Sequence, residues 1–94
     1  EIPSNVEFNI FPNPSHHQSV IKYTVIAASD VSVEIYDAAG RAIKTLIDTR
    51  QKPGSYVVHW DGTTEKGLKV PAGVYFCQIE SDNHSTTAKL ALIR

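Results

Sequence analysis

The sequence has little of what metal-binding, nucleic-acid-binding or membrane-spanning domains need. It contains one cysteine, Cys77, which excludes an internal disulfide and a cysteine-rich zinc site. Lysine and arginine number 9 against 10 acidic residues, so the net charge of -1 offers no bulk attraction to nucleic acid or to an anionic membrane. No segment approaches the roughly 20 apolar residues that cross a bilayer. We therefore expect no nucleic-acid partner and no membrane insertion.

The start of the chain also lacks a basic segment followed by an apolar one, which is the pattern of a signal peptide. Residues 1–5 resemble the end of a linker, which favours one piece of a longer secreted protein over a cytosolic domain. The 94 residues suffice for one domain, 1–94, with a single core. A hydrophobic fraction of 41% and a charged fraction of 20% are typical of a folded module.

Apolar and polar residues alternate along most of the chain, and no window keeps the spacing of an amphipathic helix. In one segment Ile21, Tyr23 and Val25 share a face, and in another Tyr75, Cys77 and Ile79 do so. Short strands spaced by about 8 to 12 residues are typical of an all-β fold, here a seven-stranded antiparallel sandwich like immunoglobulin or fibronectin type III domains. The predicted strands are Val6–Phe11, Val20–Ile26, Val31–Tyr36, Arg41–Asp48, Ser55–Trp60, Val74–Ser81 and Thr86–Ile93.

Turn residues separate these strands. Pro12, Asn13 and Pro14 end the first strand, because proline cannot donate a hydrogen bond to the sheet. Gly40 can adopt the positive φ of a tight hairpin between the third and fourth strands. Trp60, followed directly by the Asp61–Gly62 turn, is predicted to be the largest core side chain and to anchor the long polar loop that ends at Gly73.

The residue types that carry chemistry are present but scattered. His16 and His17 are adjacent and point apart on an extended chain, while His59 and His84 lie on distant elements, so they predict no metal site. The Asp61 loop lacks the carboxylate spacing of a calcium loop and is better explained by turn hydrogen bonds. No catalytic triad, carboxylate pair or phosphate-binding loop is recognisable. We expect no enzyme activity and no cofactor.

Several short motifs, taken in order, resemble a known family. They are Phe11-Pro12-Asn13-Pro14, Ile21-Lys22-Tyr23, Val33-Glu34-Ile35-Tyr36-Asp37 with Gly40-Arg41, Gly54, Trp60-Asp61-Gly62, Gly67, Ala72-Gly73-Val74-Tyr75-Phe76, and Lys89 to Arg94. Together they resemble the immunoglobulin-like C-terminal domain of many secreted bacterial proteins. That group overlaps the type IX (Por) secretion sorting domains and is similar to the immunoglobulin-like domain of the flagellar hook-capping protein.

The resemblance implies a non-catalytic domain that directs a cargo across the outer membrane and leaves it on the cell surface or secreted. Its partners would be the secretion machinery or the cargo domain of the same chain, and we expect a monomer. Carried over by position, the resemblance assigns sorting or recognition to Gly73, Val74, Tyr75, Lys89, Leu90, Leu92 and Arg94. An edge strand over Lys89 to Arg94 suits recognition by strand addition, in which main-chain hydrogen bonds hold the partner.

Two other functions remain open at the level of sequence. One is an accessory spacer or carbohydrate-binding module of an extracellular hydrolase, in which an exposed Tyr36 stacks on a sugar of a polysaccharide. A single aromatic residue also fits a strand-packing role. The other is a structural domain similar to the hook cap, in which the sandwich contacts copies of itself.

Overall fold

Seven strands make up the part of the chain that the computed structural model describes, which is residues 6–11, 16, 18–82 and 84–93. Period-two alternation of apolar residues produces them, because successive side chains of a strand point to opposite faces. The strands are β1 (Val6–Phe11), β2 (Ser19–Val25), β3 (Ser29–Asp37), β4 (Ala42–Gln51), β5 (Gly54–Trp60), β6 (Gly73–Ser81) and β7 (His84–Leu92).

The strands form two antiparallel sheets, which confirms the predicted all-β sandwich. One sheet has the order β1-β2-β5 and the other has the order β4-β3-β6-β7. In immunoglobulin constant domains the sheet that contains the first strand has four strands and the other has three. Here β4 pairs with β3 instead, so the larger sheet carries the last strand of the chain. The described residues include no helix with the length and apolar character of a membrane span.

The core lies between the sheets and contains the side chains that the alternation places inward. Trp60 has the largest fully buried side chain, with 1% of its surface exposed, as the sequence predicts. Tyr23 makes an aromatic contact within the core, because its ring stacks on Tyr56. Its hydroxyl donates to Gln51 Oε1 at 2.7 Å. The buried apolar residues are Ile21, Tyr23, Val25, Val31, Val33, Ile35, Trp60, Val70, Tyr75, Cys77, Ile79, Leu90 and Leu92.

The hairpin of β3 and β4 is longer than the sequence predicts. β3 begins at Ser29, which pairs with Gln51, so β4 continues three residues past the predicted end at Asp48. The pairing shifts register twice, between Val33 and Glu34 and between Ile35 and Tyr36. Such irregularities bend a strand and increase its twist. Buried and exposed residues therefore do not alternate along β4, and every residue from Ile43 to Ile47 is partly buried.

The turn of this hairpin shows why a glycine is favoured at position 40. Gly40 has a φ of 86°, a conformation that strains residues with a Cβ atom, and its amide donates to the Asp37 carbonyl at 3.0 Å. The Asp37 carboxylate accepts hydrogen bonds from the amides of Ala39 and Arg41 and from the Arg41 guanidinium. The pKa of Asp37 is lowered, chiefly by the Arg41 amide.

The register places the turns at two ends of the molecule. We call one end the amino pole, where β1 begins at Val6, where the turns at 26–28 and 52–53 lie and where β6 ends at Ser81. The other end is the loop pole, which holds the turn at 38–41, the loop 61–72 and the end of β7. The longest dimension of the molecule is 37 Å. Pro12, Asn13, Pro14 and the predicted linker 1–5 lie outside the described residues.

Candidate functional site: the terminal-strand face

The Trp60 side chain fixes the loop pole. Its indole Nε1 donates to the Thr63 carbonyl at 2.9 Å, and its ring meets Tyr75 edge to face with the ring centroids 5.4 Å apart. The Tyr75 hydroxyl in turn donates to the Pro71 carbonyl at 2.5 Å. Buried indole and phenol groups need such partners, and here both partners belong to loop 61–72. The two aromatic residues therefore hold both ends of the loop against the core.

The Asp61–Gly62 turn acts as predicted, with one addition. Gly62 has a φ of 77°, and its carbonyl accepts a hydrogen bond from the Val70 amide at 2.9 Å. The Asp61 carboxylate accepts a hydrogen bond from the Thr63 hydroxyl, which is the largest cause of its lowered pKa. Lys44 and the amides of Asp61 and Thr63 lower the pKa further. These contacts show a structural turn that also reaches β4.

Loop 61–72 covers part of the outer edge of β4. The Glu65 amide donates to the Ile43 carbonyl at 3.2 Å, and the Glu65 carboxylate accepts a hydrogen bond from the Thr45 amide at 3.1 Å. Lys44 Nζ donates to Thr63 Oγ1 at 3.2 Å. Backbone groups that would be open at this edge of the sheet thus have partners within the domain.

The opposite edge of the same sheet is β7, the last strand in the order β4-β3-β6-β7. Its pairing with β6 runs without a break from Gly73 and Leu92 to Ser81 and His84. The strand contains neither proline nor a register shift, and one charged residue, Lys89, stands exposed on it. A long regular edge of this kind is a template for pairing with another strand.

The residues that the sequence singles out for recognition divide between surface and core. Tyr75, Leu90 and Leu92 are buried, with exposures of 5%, 0% and 3%, so their side chains cannot be contacted from outside. Gly73, Val74 and Lys89 are exposed. Arg94 lies outside the described residues. The accessible part of the predicted set therefore comes from the start of β6 and from the outward positions of β7.

Two further residues belong to this surface and were not singled out from the sequence. Phe76 is the register partner of Lys89, and Ala91 is the partner of Val74. We name Val74, Phe76, Lys89 and Ala91 the terminal-strand face. The alternation around the buried Tyr75 and Leu90 already places all four on the outer side, so the signal was present in the pattern.

Tyr36 is partly buried, which corrects the expectation of an exposed ring. It lies on the outer side of β3, and its hydroxyl donates to Glu34 Oε1 at 3.0 Å. That hydrogen bond is the main reason why the pKa of Tyr36 is raised. Phe76 is the direct register partner of Tyr36 across β3 and β6.

The remaining reactive side chains are separated. Among the described residues no three histidine, cysteine or acidic side chains lie close enough to share a metal ion. His16 and His59 are exposed. Cys77 is buried, and burial raises the pKa of its thiol to about 12, which keeps it protonated and poorly nucleophilic.

The protein is an immunoglobulin-like β-sandwich domain, with two antiparallel sheets and with loop 61–72 anchored by Trp60. The sequence model of the family described as the FlgD Ig-like domain matches residues 16–85, more than half of the chain. The chain therefore belongs to this family. No protein with a curated description matches it.

Solved structures similar to this chain include proteins of two kinds. Dimeric latent PorU from Porphyromonas gingivalis has a TM-score of 0.70 and 23% identity over 94% of this chain. PorZ of the same organism, described as an essential bacterial surface component of the type-IX secretion system, has a TM-score of 0.61 and 22% identity over 93% of this chain. FlgD from Xanthomonas campestris, described in connection with hook capping in flagellar assembly, has a TM-score of 0.61 and 26% identity over 96% of this chain.

The chain covers very different shares of these proteins. It corresponds to 9% of PorU and 11% of PorZ, but to 63% of the Xanthomonas FlgD chain. The two Porphyromonas proteins are less than 25% identical to this chain, so they establish a shared fold and no shared activity.

Proposed function

We propose that this domain is a non-catalytic module of a larger secreted bacterial protein and acts as a type IX sorting and cell-surface attachment domain. The observation that carries the proposal is the regular edge strand β7 beside the exposed residues Gly73, Val74 and Lys89. The fold shared with PorZ, a surface component of that secretion system, supports it. The proposed location is the cell surface or the medium, reached through the periplasm.

Strand addition is the mechanism that this edge supports best. A partner strand would form main-chain hydrogen bonds along β7, which provide affinity independent of sequence. Selection would come from side chains beside the edge, where Lys89 supplies one positive charge and Val74 a small apolar contact. The buried Tyr75, Leu90 and Leu92 would act indirectly, by fixing the position of β6 and β7.

The two poles keep cargo and machinery apart. The start of β1 is at the amino pole, so a cargo domain joined before this chain would lie there. Gly73 and the end of β7 are at the loop pole, on a molecule 37 Å long. A folded cargo would therefore leave the terminal-strand face open to the secretion machinery.

The test is the export of a reporter protein fused before this domain in a bacterium with a type IX system. We expect Val74→Glu combined with Lys89→Glu to strongly reduce reporter on the surface and in the medium. Lys22→Glu and Val57→Glu, on exposed positions of the other sheet, are matched controls with the same charges. Equal export of both double variants would contradict the proposal, provided both fold as judged by circular dichroism.

A hook-cap-like structural role is the second candidate. The family match supports this role. The Xanthomonas FlgD structure supports it too, because its alignment covers 96% of this chain at 26% identity. In this role the sandwich would contact copies of itself or other subunits of an extracellular assembly. Sedimentation velocity over a wide concentration range separates the candidates, because a persistent monomer favours sorting and concentration-dependent oligomers favour assembly.

A further inference from the structure

Two aromatic residues share the outer side of the four-stranded sheet. Tyr36 of β3 and Phe76 of β6 are directly opposite in the register. Residues in this relation have Cβ atoms about 4.5–5.5 Å apart. Both side chains are partly exposed, so each ring offers part of its surface to solvent. The pair forms a small apolar platform that neither residue would form alone.

A row of polar side chains borders this platform. Glu34 pairs with Gln78, and Gln78 pairs with Thr87, two positions along the strands from the aromatic pair. The Gln78 amide nitrogen donates to Ser85 Oγ at 3.0 Å, which holds the amide in place, and its carbonyl oxygen remains an acceptor. The Thr87 hydroxyl is exposed and can donate or accept.

The rings and the polar row share one groove. Its volume is about 340 Å³, and its lining includes Tyr36, Phe76, Gln78, Thr87 and the turn that contains Gly40. Small-molecule sites of about 300–1,000 Å³ with a few placed polar groups are typical of proteins. The groove is shallow and open, which suits a ligand that presents one flat face.

The charges around the groove favour a neutral ligand. Asp37, the acidic residue of its lining, already forms an ion pair with Arg41 at 2.8 Å. The neighbouring Glu34 carboxylate accepts hydrogen bonds from the hydroxyls of Tyr36 and Thr45. The groups left to meet a ligand are aromatic faces, an amide and a hydroxyl.

We propose that the groove binds a neutral carbohydrate, with the C–H face of a sugar ring on Tyr36 and Phe76 and its hydroxyls at Gln78 and Thr87. A sugar ring combines an apolar face with polar edges, which matches this arrangement. The binding site goes beyond the proposed sorting function and does not depend on it.

The test is retention of the purified domain on microcrystalline cellulose, chitin and insoluble xylan, followed by calorimetry with soluble oligomers of any polymer that retains it. We expect Tyr36→Leu and Phe76→Leu each to weaken binding roughly three- to tenfold. Tyr36→Phe, which keeps the ring, should bind as the unmodified domain does. Val57→Leu, at an exposed site on the other sheet, is the control.

Leucine substitution also separates a glycan from a protein partner, because leucine preserves much of an apolar protein contact but has no ring to stack. Since the two rings are partly buried, Thr87→Ala provides a second variant at an exposed position, and we expect it to weaken binding. No retention on any of the three polymers would overturn the proposal. Unchanged binding by both leucine variants would overturn it as well. Tyr36→Leu, at a residue outside the terminal-strand face, should leave reporter export unchanged, so the outcomes for sorting and glycan binding stay distinct.

Discussion

The two edges of the four-stranded sheet differ in how they are protected. At β4 the pairing is irregular, and loop 61–72 supplies hydrogen-bond partners through Glu65. At β7 the pairing with β6 is regular and has no register shift. Natural sheets usually protect an edge against unwanted pairing. We propose that β7, the edge with regular pairing, is the side of the domain that accepts a partner strand.

The largest effect should come from removing the anchor of the protecting loop. We expect Trp60→Ala to destabilise the domain by about 3–5 kcal/mol, because it removes the largest buried side chain and the hydrogen bond to Thr63. Urea unfolding followed by circular dichroism measures this. The control is Val57→Ala on an exposed surface, which should cost little. A loss below about 1 kcal/mol for Trp60→Ala would show that the loop is held in another way.

A smaller effect should follow from opening the β4 edge directly. Glu65→Ala removes the acceptor for the Thr45 amide and should cost about 1 kcal/mol. Hydrogen exchange at Thr45 should accelerate, while exchange along β7 should not change. Glu65→Gln keeps an acceptor oxygen and should behave more like the unmodified domain. If the Thr45 amide exchanges equally fast in all three proteins, the loop does not protect this edge.

The contact between Asp61 and β4 should make stability depend slightly on pH. The pKa of Asp61 lies below its ordinary value of 3.8, first because of the Thr63 hydroxyl and also because of Lys44. Its contribution is therefore present above about pH 4 and is lost as the pH falls through the folded-state pKa. The carboxyl group is 63% exposed, so we expect less than about 1 kcal/mol. Asp61→Asn should flatten this part of a stability curve measured from pH 5 to 2, and an unchanged slope would exclude the effect.

The smallest effect on folding should come from a change in β7, where association is the more sensitive measurement. Lys89→Val removes an exposed charge from β7 while keeping a strand-forming residue. We expect nearly unchanged stability but a sedimentation coefficient that rises with concentration toward that of a dimer. Lys22→Val, on the central strand of the other sheet, should remain a monomer. Monomeric behaviour of Lys89→Val would mean that this edge is protected by something other than charge.

Local patterns predicted the fold well. Alternation placed Tyr75, Cys77 and Ile79 inward, and the Trp60-Asp61-Gly62 segment indicated both the buried anchor and the turn. The extension of β3 and β4 was missed because it depends on pairing between Ser29 and Gln51, which are far apart in sequence. The contacts of Glu65 with Ile43 and Thr45 were missed for the same reason.

The candidate site could be predicted only in part. Position in a motif singled out Gly73, Val74 and Tyr75 together, but strand geometry turns Tyr75 into the core and Val74 outward. Alternation alone would have separated them and would have added Phe76. Predicting that Tyr36 and Phe76 are neighbours would have required the register between β3 and β6, which no local sequence pattern contains. Whether the surface is recognised, and by what, stays a prediction.

The placement of Val6 and Leu92 at opposite poles has a mechanical consequence. A force applied between these two residues would act along the strands, so many hydrogen bonds of β1 with β2 and of β6 with β7 would have to shear at once. A sheet pulled across its strands would instead unzip one pair at a time. The domain should accordingly extend little under load and would act as a stiff tether.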